Sequence, residues 1–248
     1  MLLDIHCHLT HKLFEQDVDK VIKRSGEVII VCAGSGLIDN QKVLALASKH
    51  SNVKASLGFY PWDAVNSTDE QINGCINFMK NNKSKAVIIG EVGLDHHWGQ
   101  SKVDWAKQEL VFRRLLKFCD DNNKPVLIHC RDAEAIVLKV ISDYSCNKVI
   151  HCYTGPLSLV PEFLSRDCYF TIPALIAKSK SFVKLCKKLP VNRLLTETDS
   201  PYLSPVQLER NEPVNVRLGL EVISKLKDLS FKDCEEQVFK NYESLTRD

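Results

Sequence analysis

The sequence predicts a single-domain (β/α)₈ barrel. Eight short apolar runs recur along the 248 residues, their starts lie 20 to 39 residues apart, and the stretches between them have helical spacing of apolar residues. Buried strands that alternate with helices form parallel sheets, and eight such units in about 250 residues are typical of a closed barrel. No stretch rich in proline, glycine and serine divides the chain, so we expect residues 1–248 to form one domain.

The predicted strands are short and rich in Val, Ile and Leu, as expected for strands that are buried on both faces. They span residues 2–7, 27–32, 53–57, 86–89, 125–128, 148–150, 168–172 and 193–196. An open doubly wound sheet is the alternative architecture, and it usually carries a glycine-rich phosphate loop after its first strand. Here His-Cys-His-Leu at 6–9 occupies that place, which favours the barrel.

The predicted helices carry apolar residues at intervals of three and four. In residues 104–119 this pattern is formed by Leu110, Val111, Leu115, Leu116 and Phe118. Residues 68–79 begin with Thr-Asp-Glu, a start signal, because a threonine side chain caps the first turn and acidic residues suit its positive end. The other predicted helices span 39–49, 181–189, 216–229 and 232–245.

The composition excludes several classes of protein. Hydrophobic residues make up 44% and charged residues 26%, so the chain is neither disordered nor fibrous. The 33 Lys and Arg residues against 31 Asp and Glu leave a net charge of +2, which indicates neither a basic nucleic-acid-binding surface nor an acidic tail. No apolar run approaches the roughly 20 residues that a membrane-spanning helix needs, so we expect no membrane association.

The ten cysteines are scattered along the chain rather than clustered. Cys7, Cys32, Cys119 and Cys152 lie inside apolar runs, where a free thiol packs as a small hydrophobic group. Disulfide frameworks are typical of much shorter secreted chains, so we expect free thiols and a reducing compartment. Asp4 interrupts the first apolar run and no signal peptide is expected, which together predict a cytoplasmic protein.

Side chains that commonly bind metals follow the predicted strands, at the end of a barrel where catalytic groups are located. Residues two apart on a strand point to the same face, so both His6 and His8 can face the barrel axis. A lone histidine at such a position is usually structural, but four imidazoles and two carboxylates on one rim indicate a cation, because burying unpaired carboxylates is costly. The candidates are His6, His8, Glu91, His129, His151 and Asp199.

Six ligands suit two divalent ions that share a bridging carboxylate, because a single tetrahedral ion takes about four. Such a pair lowers the pKa of a bridging water, which implies hydrolysis without an organic cofactor. Imidazole and carboxylate ligands are compatible with Zn²⁺, Mn²⁺, Ni²⁺ or Fe²⁺, and Mg²⁺ is a poorer match to four imidazoles. The sequence leaves the identity of the ions open.

Seven motifs run from one end of the chain to the other. They are DIHCHL at 4–9, GFYPWDA at 58–64, IGEVGLD at 89–95, KPVLIHCRDA at 124–133, VIHCYTG at 149–155, LLTETDSPYLSP at 194–205 and RNEP at 210–213. In order and spacing, the sequence resembles the TatD-related metal-dependent deoxyribonucleases, a branch of the barrel-fold metal-dependent hydrolases. The resemblance implies cleavage of phosphodiester bonds in DNA, often as a 3′-to-5′ exonuclease, and it keeps Mg²⁺ among the candidate ions.

The resemblance also implies a role for each of the six ligands. One ion would be held by His6, His8 and Asp199, and the other by His129 and His151. Glu91 would bridge the two ions. Glu91 and Asp199 would be the catalytic carboxylates, and Asp199 would orient the attacking water or take its proton.

Tyr60 departs from the family pattern, which commonly has a histidine at this position of the GFYPWDA motif. A histidine there could contact the scissile phosphate, whereas a tyrosine can donate a hydrogen bond but carries no positive charge near neutral pH. Tyr60 is therefore one candidate substrate contact. Arg131 is the other, because its planar fork suits phosphate oxygens, although an ion pair with Asp132 or Asp95 fits the sequence equally well.

Other residues near the predicted rim have two interpretations each. Asp95 either orients a ligand histidine or caps a loop. His96, His97 and Trp98 either stack on a nucleobase or cover a helix. The lysines in 80–85 and 178–188 are interpreted as solvated helix faces rather than as nucleic-acid contacts.

Three classes of function fit the sequence. The leading one is a two-metal phosphodiesterase that acts on DNA, with single strands or ends favoured because a duplex interior is hard to fit at a barrel mouth. The second is a metal-dependent amidohydrolase or esterase acting on a small molecule. Related amidohydrolases often have a modified lysine at the position after strand 4 where this chain has Glu91, and this difference favours the phosphodiesterase. The third is a non-catalytic barrel used as a binding platform, which the complete set of ligands disfavours. The oligomeric state is open.

Overall fold

The computed structural model describes residues 1–98, 101–207 and 209–247, and within them eight parallel strands form one sheet in chain order. Each strand pairs with the next, and the last lies beside the first, so the sheet curls into a nearly closed barrel. The predicted (β/α)₈ architecture is confirmed. The strands are β1 (Leu3–Cys7), β2 (Ile29–Ala33), β3 (Val53–Leu57), β4 (Ala86–Asp95), β5 (Val126–Arg131), β6 (Lys148–Ile150), β7 (Tyr169–Pro173) and β8 (Leu194–Glu197).

Helices connect the strands and cover the outside of the barrel. The helix predicted at 68–79 begins after Thr68, whose hydroxyl accepts from the Gln71 N–H (3.3 Å) while the Gln71 side chain accepts from the Thr68 N–H (2.8 Å). This reciprocal pair fixes the start of the helix. The helices in the described residues are α1 (Val18–Arg24), α2 (Leu37–Lys49), α3 (Pro61–Val65), α4 (Asp69–Asn81), α5 (Lys102–Asp121), α6 (Glu134–Ile141), α7 (Val160–Leu164), α8 (Lys180–Lys188), α9 (Val216–Leu226) and α10 (Phe231–Thr246).

Strand β4 continues to Asp95, six residues beyond the predicted span of 86–89. The prediction ends early because Gly90 and Gly93 interrupt the apolar pattern of the strand. Gly93 has a φ of +145°, and a Cβ at this position would lie 2.0 Å from the carbonyl oxygen of His129. Only glycine allows β4 and β5 to approach this closely. The longer strand carries Glu91 in its interior, under the rim of the barrel.

The barrel closes where β1 meets the end of β8. The Asp199 N–H donates to the His6 carbonyl oxygen (2.9 Å), and the Asp4 side chain accepts from both the N–H (2.8 Å) and the hydroxyl (2.5 Å) of Thr198. Asp4 and Thr198 are fully buried. A polar seam therefore joins the two ends of the sheet just below the rim.

Several strands are buried at every position, as expected when helices cover one face of a strand and the barrel interior the other. Their polar side chains, among them Asp4, His6 and Glu197, are therefore withdrawn from water and must find partners inside the protein. Among the described residues, no helix is both long and apolar enough to cross a membrane.

We expect Thr198→Val to destabilise the fold by about 1–3 kcal/mol, because it leaves the buried Asp4 side chain without one of its donors. Urea unfolding followed by circular dichroism measures the change. Thr198→Ser keeps the hydroxyl and is the matched control. Equal stability of the valine variant and the wild type would contradict a stabilising role for this seam.

Candidate metal centre

The structure brings all six predicted ligands together at the carboxyl end of the barrel. His6, Glu91 and His129 lie on β1, β4 and β5, and the other three follow strands β1, β6 and β8. The rim opens into a cleft of about 730 Å³. His6 and Glu91 are buried, so their polar atoms face one another rather than solvent.

One group of ligand atoms surrounds a common point. The Nε2 atoms of His6 and His8 are 3.1 Å apart, and Oδ1 of Asp199 lies 3.4 Å from each of them. Oε2 of Glu91 lies 3.9 Å from both nitrogen atoms. Ligands about 2.1 Å from a tetrahedral ion are roughly 3.4 Å apart, so these spacings fit a bound cation.

The second group lies around the other oxygen of Glu91. Oε1 of Glu91 is 2.5 Å from Nδ1 of His129 and 3.8 Å from Nε2 of His151. The two oxygens of one carboxylate thus face two different sets of imidazoles. Each oxygen of Glu91 therefore belongs to a group of side chains that could hold a metal ion.

Two further carboxylates hold the imidazoles of the second group from behind. Nε2 of His129 lies 3.0 Å from Oδ2 of Asp95, and Nδ1 of His151 lies 2.7 Å from Oε2 of Glu197. Asp95 and Glu197 are both fully buried. Such partners fix the ring orientation, so the opposite nitrogen atoms, Nδ1 of His129 and Nε2 of His151, face Oε1 of Glu91.

Of the two roles considered for Asp95 in the sequence analysis, the structure supports the first, because Asp95 lies next to the His129 ring. Glu197 received no role from the sequence. The sequence feature that could have indicated a role is its position, two residues before Asp199 and in a strand whose other residues are apolar or small. A buried carboxylate in that setting needs a partner, and His151 supplies it.

The charges of the site favour a cation. Burial alone would raise the pKa of Glu91, but His129 and the neighbouring imidazoles outweigh it and hold the pKa well below its usual range. Burial lowers the pKa of His129 and of His8, yet their carboxylate partners raise both pKa values to about 9. The ionised carboxylates therefore draw positive charge into the site, and a divalent ion can replace those protons.

One imidazole of the cluster has a buried nitrogen atom without a hydrogen bond among the described residues. Within the described part of the chain, Nδ1 of His6 has no hydrogen-bond partner, although the side chain is fully buried. The other nitrogen, Nε2, is the one that faces His8 and Asp199. The donor set of imidazole nitrogens and carboxylate oxygens fits divalent transition-metal ions.

The two predicted substrate contacts lie in the same cleft but differ in what they offer. The Tyr60 hydroxyl donates to Oδ2 of Asp95 (2.8 Å), so its proton points towards the partner of His129. The Arg131 guanidinium lies 5.3 Å from the centre of the Trp98 ring. Arg131 also lines the cleft, where its donors are available to an anion.

The three aromatic residues that follow β4, His96, His97 and Trp98, differ in their contacts. His96 stacks on Trp105 with 4.2 Å between ring centres, and Nδ1 of His97 lies 2.9 Å from Oδ2 of Asp132. Trp98 is 68% exposed. The two histidines therefore hold the loop in place, and the indole faces outward.

Residues 3–247 match the family model described as TatD related DNase. The chain belongs to this family. The TatD-related chain is 34% identical over 241 residues to an uncharacterized metal-dependent hydrolase from Methanocaldococcus jannaschii, covering 96% of this chain and 94% of the relative. It is 31% identical over 227 residues to a 3′-5′ ssDNA/RNA exonuclease TatD from Cronobacter sakazakii, covering 86% of this chain and 85% of the relative.

The fold is also that of a solved TatD structure. A TatD homologue from Escherichia coli K12 superposes with a TM-score of 0.87 at 21% identity, covering 99% of this chain and 97% of the homologue. At this identity the likeness concerns the fold alone. It places the TatD-related chain on the same barrel architecture along its length.

We expect Glu197→Gln to lower the affinity for a divalent ion by about 10- to 100-fold, because glutamine can accept from His151 but supplies no negative charge. Competition with a chromophoric chelator for Zn²⁺ measures the affinity. Glu243→Gln, on the outer helix α10, is the control for loss of one carboxylate. Unchanged Zn²⁺ affinity would remove Glu197 from the support of this site.

Proposed function

We propose that the protein is a metal-dependent hydrolase that cleaves phosphodiester bonds in DNA. The observation that carries the proposal is the position of Glu91, whose two oxygens face separate groups of imidazoles. Two divalent ions would be held by His6, His8 and Asp199 on one side and by His129 and His151 on the other, with Glu91 between them. When bound, the ions lower the pKa of a water molecule and neutralise phosphate charge.

We propose that the Asp199 carboxylate orients the attacking water or takes its proton. Burial raises its pKa, but hydrogen bonds with His6 and His8 outweigh burial and hold the pKa well below its usual range. The carboxylate is therefore ionised at neutral pH and able to accept a proton or orient a water molecule. Glu91, equally ionised, keeps the facing imidazoles in place.

Arg131 and Tyr60 have different roles in this proposal. Arg131 binds a phosphate oxygen, because its guanidinium lines the cleft beside the cation sites. The Tyr60 hydroxyl donates its one hydrogen bond to Asp95 and so has no second proton to donate to a phosphate oxygen. Tyr60 thus positions His129 through Asp95, which is a different contribution from the histidine that is common in the family.

Single-stranded DNA with a free 3′ end is the substrate that we propose. The support is the likeness to the Cronobacter protein, which is named as an exonuclease acting on single-stranded DNA and RNA in the 3′-to-5′ direction. We also propose that residues 1–248 form one domain that works in the cytoplasm. All ten cysteines are free thiols, which suits a reducing compartment.

Metal analysis tests the binuclear centre. We expect about two divalent ions per chain in protein purified without chelators, measured by plasma mass spectrometry. Glu91→Ala removes the shared carboxylate and should reduce both the ion content and the hydrolysis of DNA to background. Glu109→Ala, on the outside of α5, is the control. Full activity with one ion per chain would exclude the binuclear proposal.

A substrate panel tests the reaction. We expect cleavage of 5′-labelled single-stranded DNA from its 3′ end in the presence of Mg²⁺, Mn²⁺ or Zn²⁺, resolved by gel electrophoresis. RNA, a small phosphodiester and a simple amide complete the panel. Hydrolysis of the amide alone would establish the amidohydrolase alternative, and binding without hydrolysis of any compound would establish the platform alternative.

A further inference from the structure

Two large aromatic side chains stand exposed at the mouth of the barrel. Tyr202 is 50% exposed and Trp98 is 68% exposed, and both line the cleft that contains the candidate metal centre. Tyr202 follows β8 and Trp98 follows β4. In a ring of strands in chain order, these positions lie on opposite sides of the mouth, so the metal centre lies between the two rings.

Tyr202 is held firmly next to the cation ligands. Its N–H donates to the Asp199 carbonyl oxygen (2.9 Å), and its ring meets the edge of His11 with 5.6 Å between centres. The Asn211 side chain, fully buried, donates to the Thr198 carbonyl oxygen (2.8 Å) and fixes the same turn. These hydrogen bonds fix the backbone of the turn, and the contact with His11 keeps the exposed Tyr202 ring at the edge of the cleft.

Trp98 is fixed on the opposite wall by the neighbours of His129. The His97 N–H donates to Oδ1 of Asp95 (2.9 Å), and the His97 ring meets the Trp98 ring edge-on with 4.8 Å between centres. The Arg131 guanidinium lies against the indole. An aromatic face beside a cation suits a nucleotide, because the base can stack while the phosphate pairs with the guanidinium.

We propose that Tyr202 and Trp98 stack the two nucleobases that flank the scissile phosphate. This inference rests on the proposed nuclease function and adds the residues that select the substrate. Bases in a duplex have their faces covered by neighbours, so stacking on both walls requires unpaired nucleotides. Stacking uses a face that every base has, and the selection is therefore for single strands and not for a particular sequence.

Stopped-flow tryptophan fluorescence of the metal-loaded protein tests binding before turnover. A single-stranded thymidine oligonucleotide should quench the fluorescence, and an abasic oligonucleotide of the same length should not. Trp98→Leu should abolish the quench, and Tyr202→Leu should raise the Kd for the thymidine oligonucleotide about 5- to 150-fold. Tyr202→Phe keeps the ring and should bind like the wild type.

Leu110→Ala removes an exposed apolar side chain on α5, away from the cleft, and is the matched control. Equal affinity for the abasic and thymidine oligonucleotides would overturn the stacking proposal, as would a Tyr202→Phe variant as weak as Tyr202→Leu. The hydrolysis assay separates the two proposals. Quenching without DNA cleavage overturns only the nuclease function, and cleavage without a preference for bases overturns only the stacking.

Discussion

Closure of the barrel between its first and last strands is the constraint on which the candidate metal centre depends. His6 lies on the first strand and His8 directly follows it, while Asp199 follows the last strand. The hydrogen bonds from Thr198 to Asp4 join residues 194 positions apart and bring those side chains to one point. This seam, together with the hydrogen bond from the Asp199 N–H to the His6 carbonyl oxygen, places the two halves of the first candidate ligand group next to each other.

Buried charge is the second organising feature. Glu91 lies among imidazoles that hold its pKa well below the usual range, and Asp95 and Glu197 hold two of those imidazoles from behind. A removed partner would leave an uncompensated charge in the barrel. The same contacts that satisfy the buried carboxylates also aim the ligand atoms, so stability and preorganisation of the site have one physical cause.

The repeating elements could be predicted because their signal is local. The apolar runs of the strands and the spacing within α2, α4, α5, α8, α9 and α10 are visible over a few residues. Helices α1, α3, α6 and α7 were not predicted, since their five to eight residues are too few to show periodicity. The extension of β4 could not be predicted, because the need for glycine at position 93 comes from the close backbone of β5, which is distant in the chain.

By itself, the sequence determined the barrel, the six ligand-type residues at its rim and their resemblance to a metal-dependent family. Only the tertiary structure decided which oxygen of Glu91 faces which imidazoles, that the Tyr60 proton points to Asp95, and that Tyr202 and Trp98 stand on opposite walls. The physical reason is range. Periodicity reports on neighbours in the chain, whereas these contacts join residues 35 or more positions apart, whose meeting depends on closure of the whole sheet.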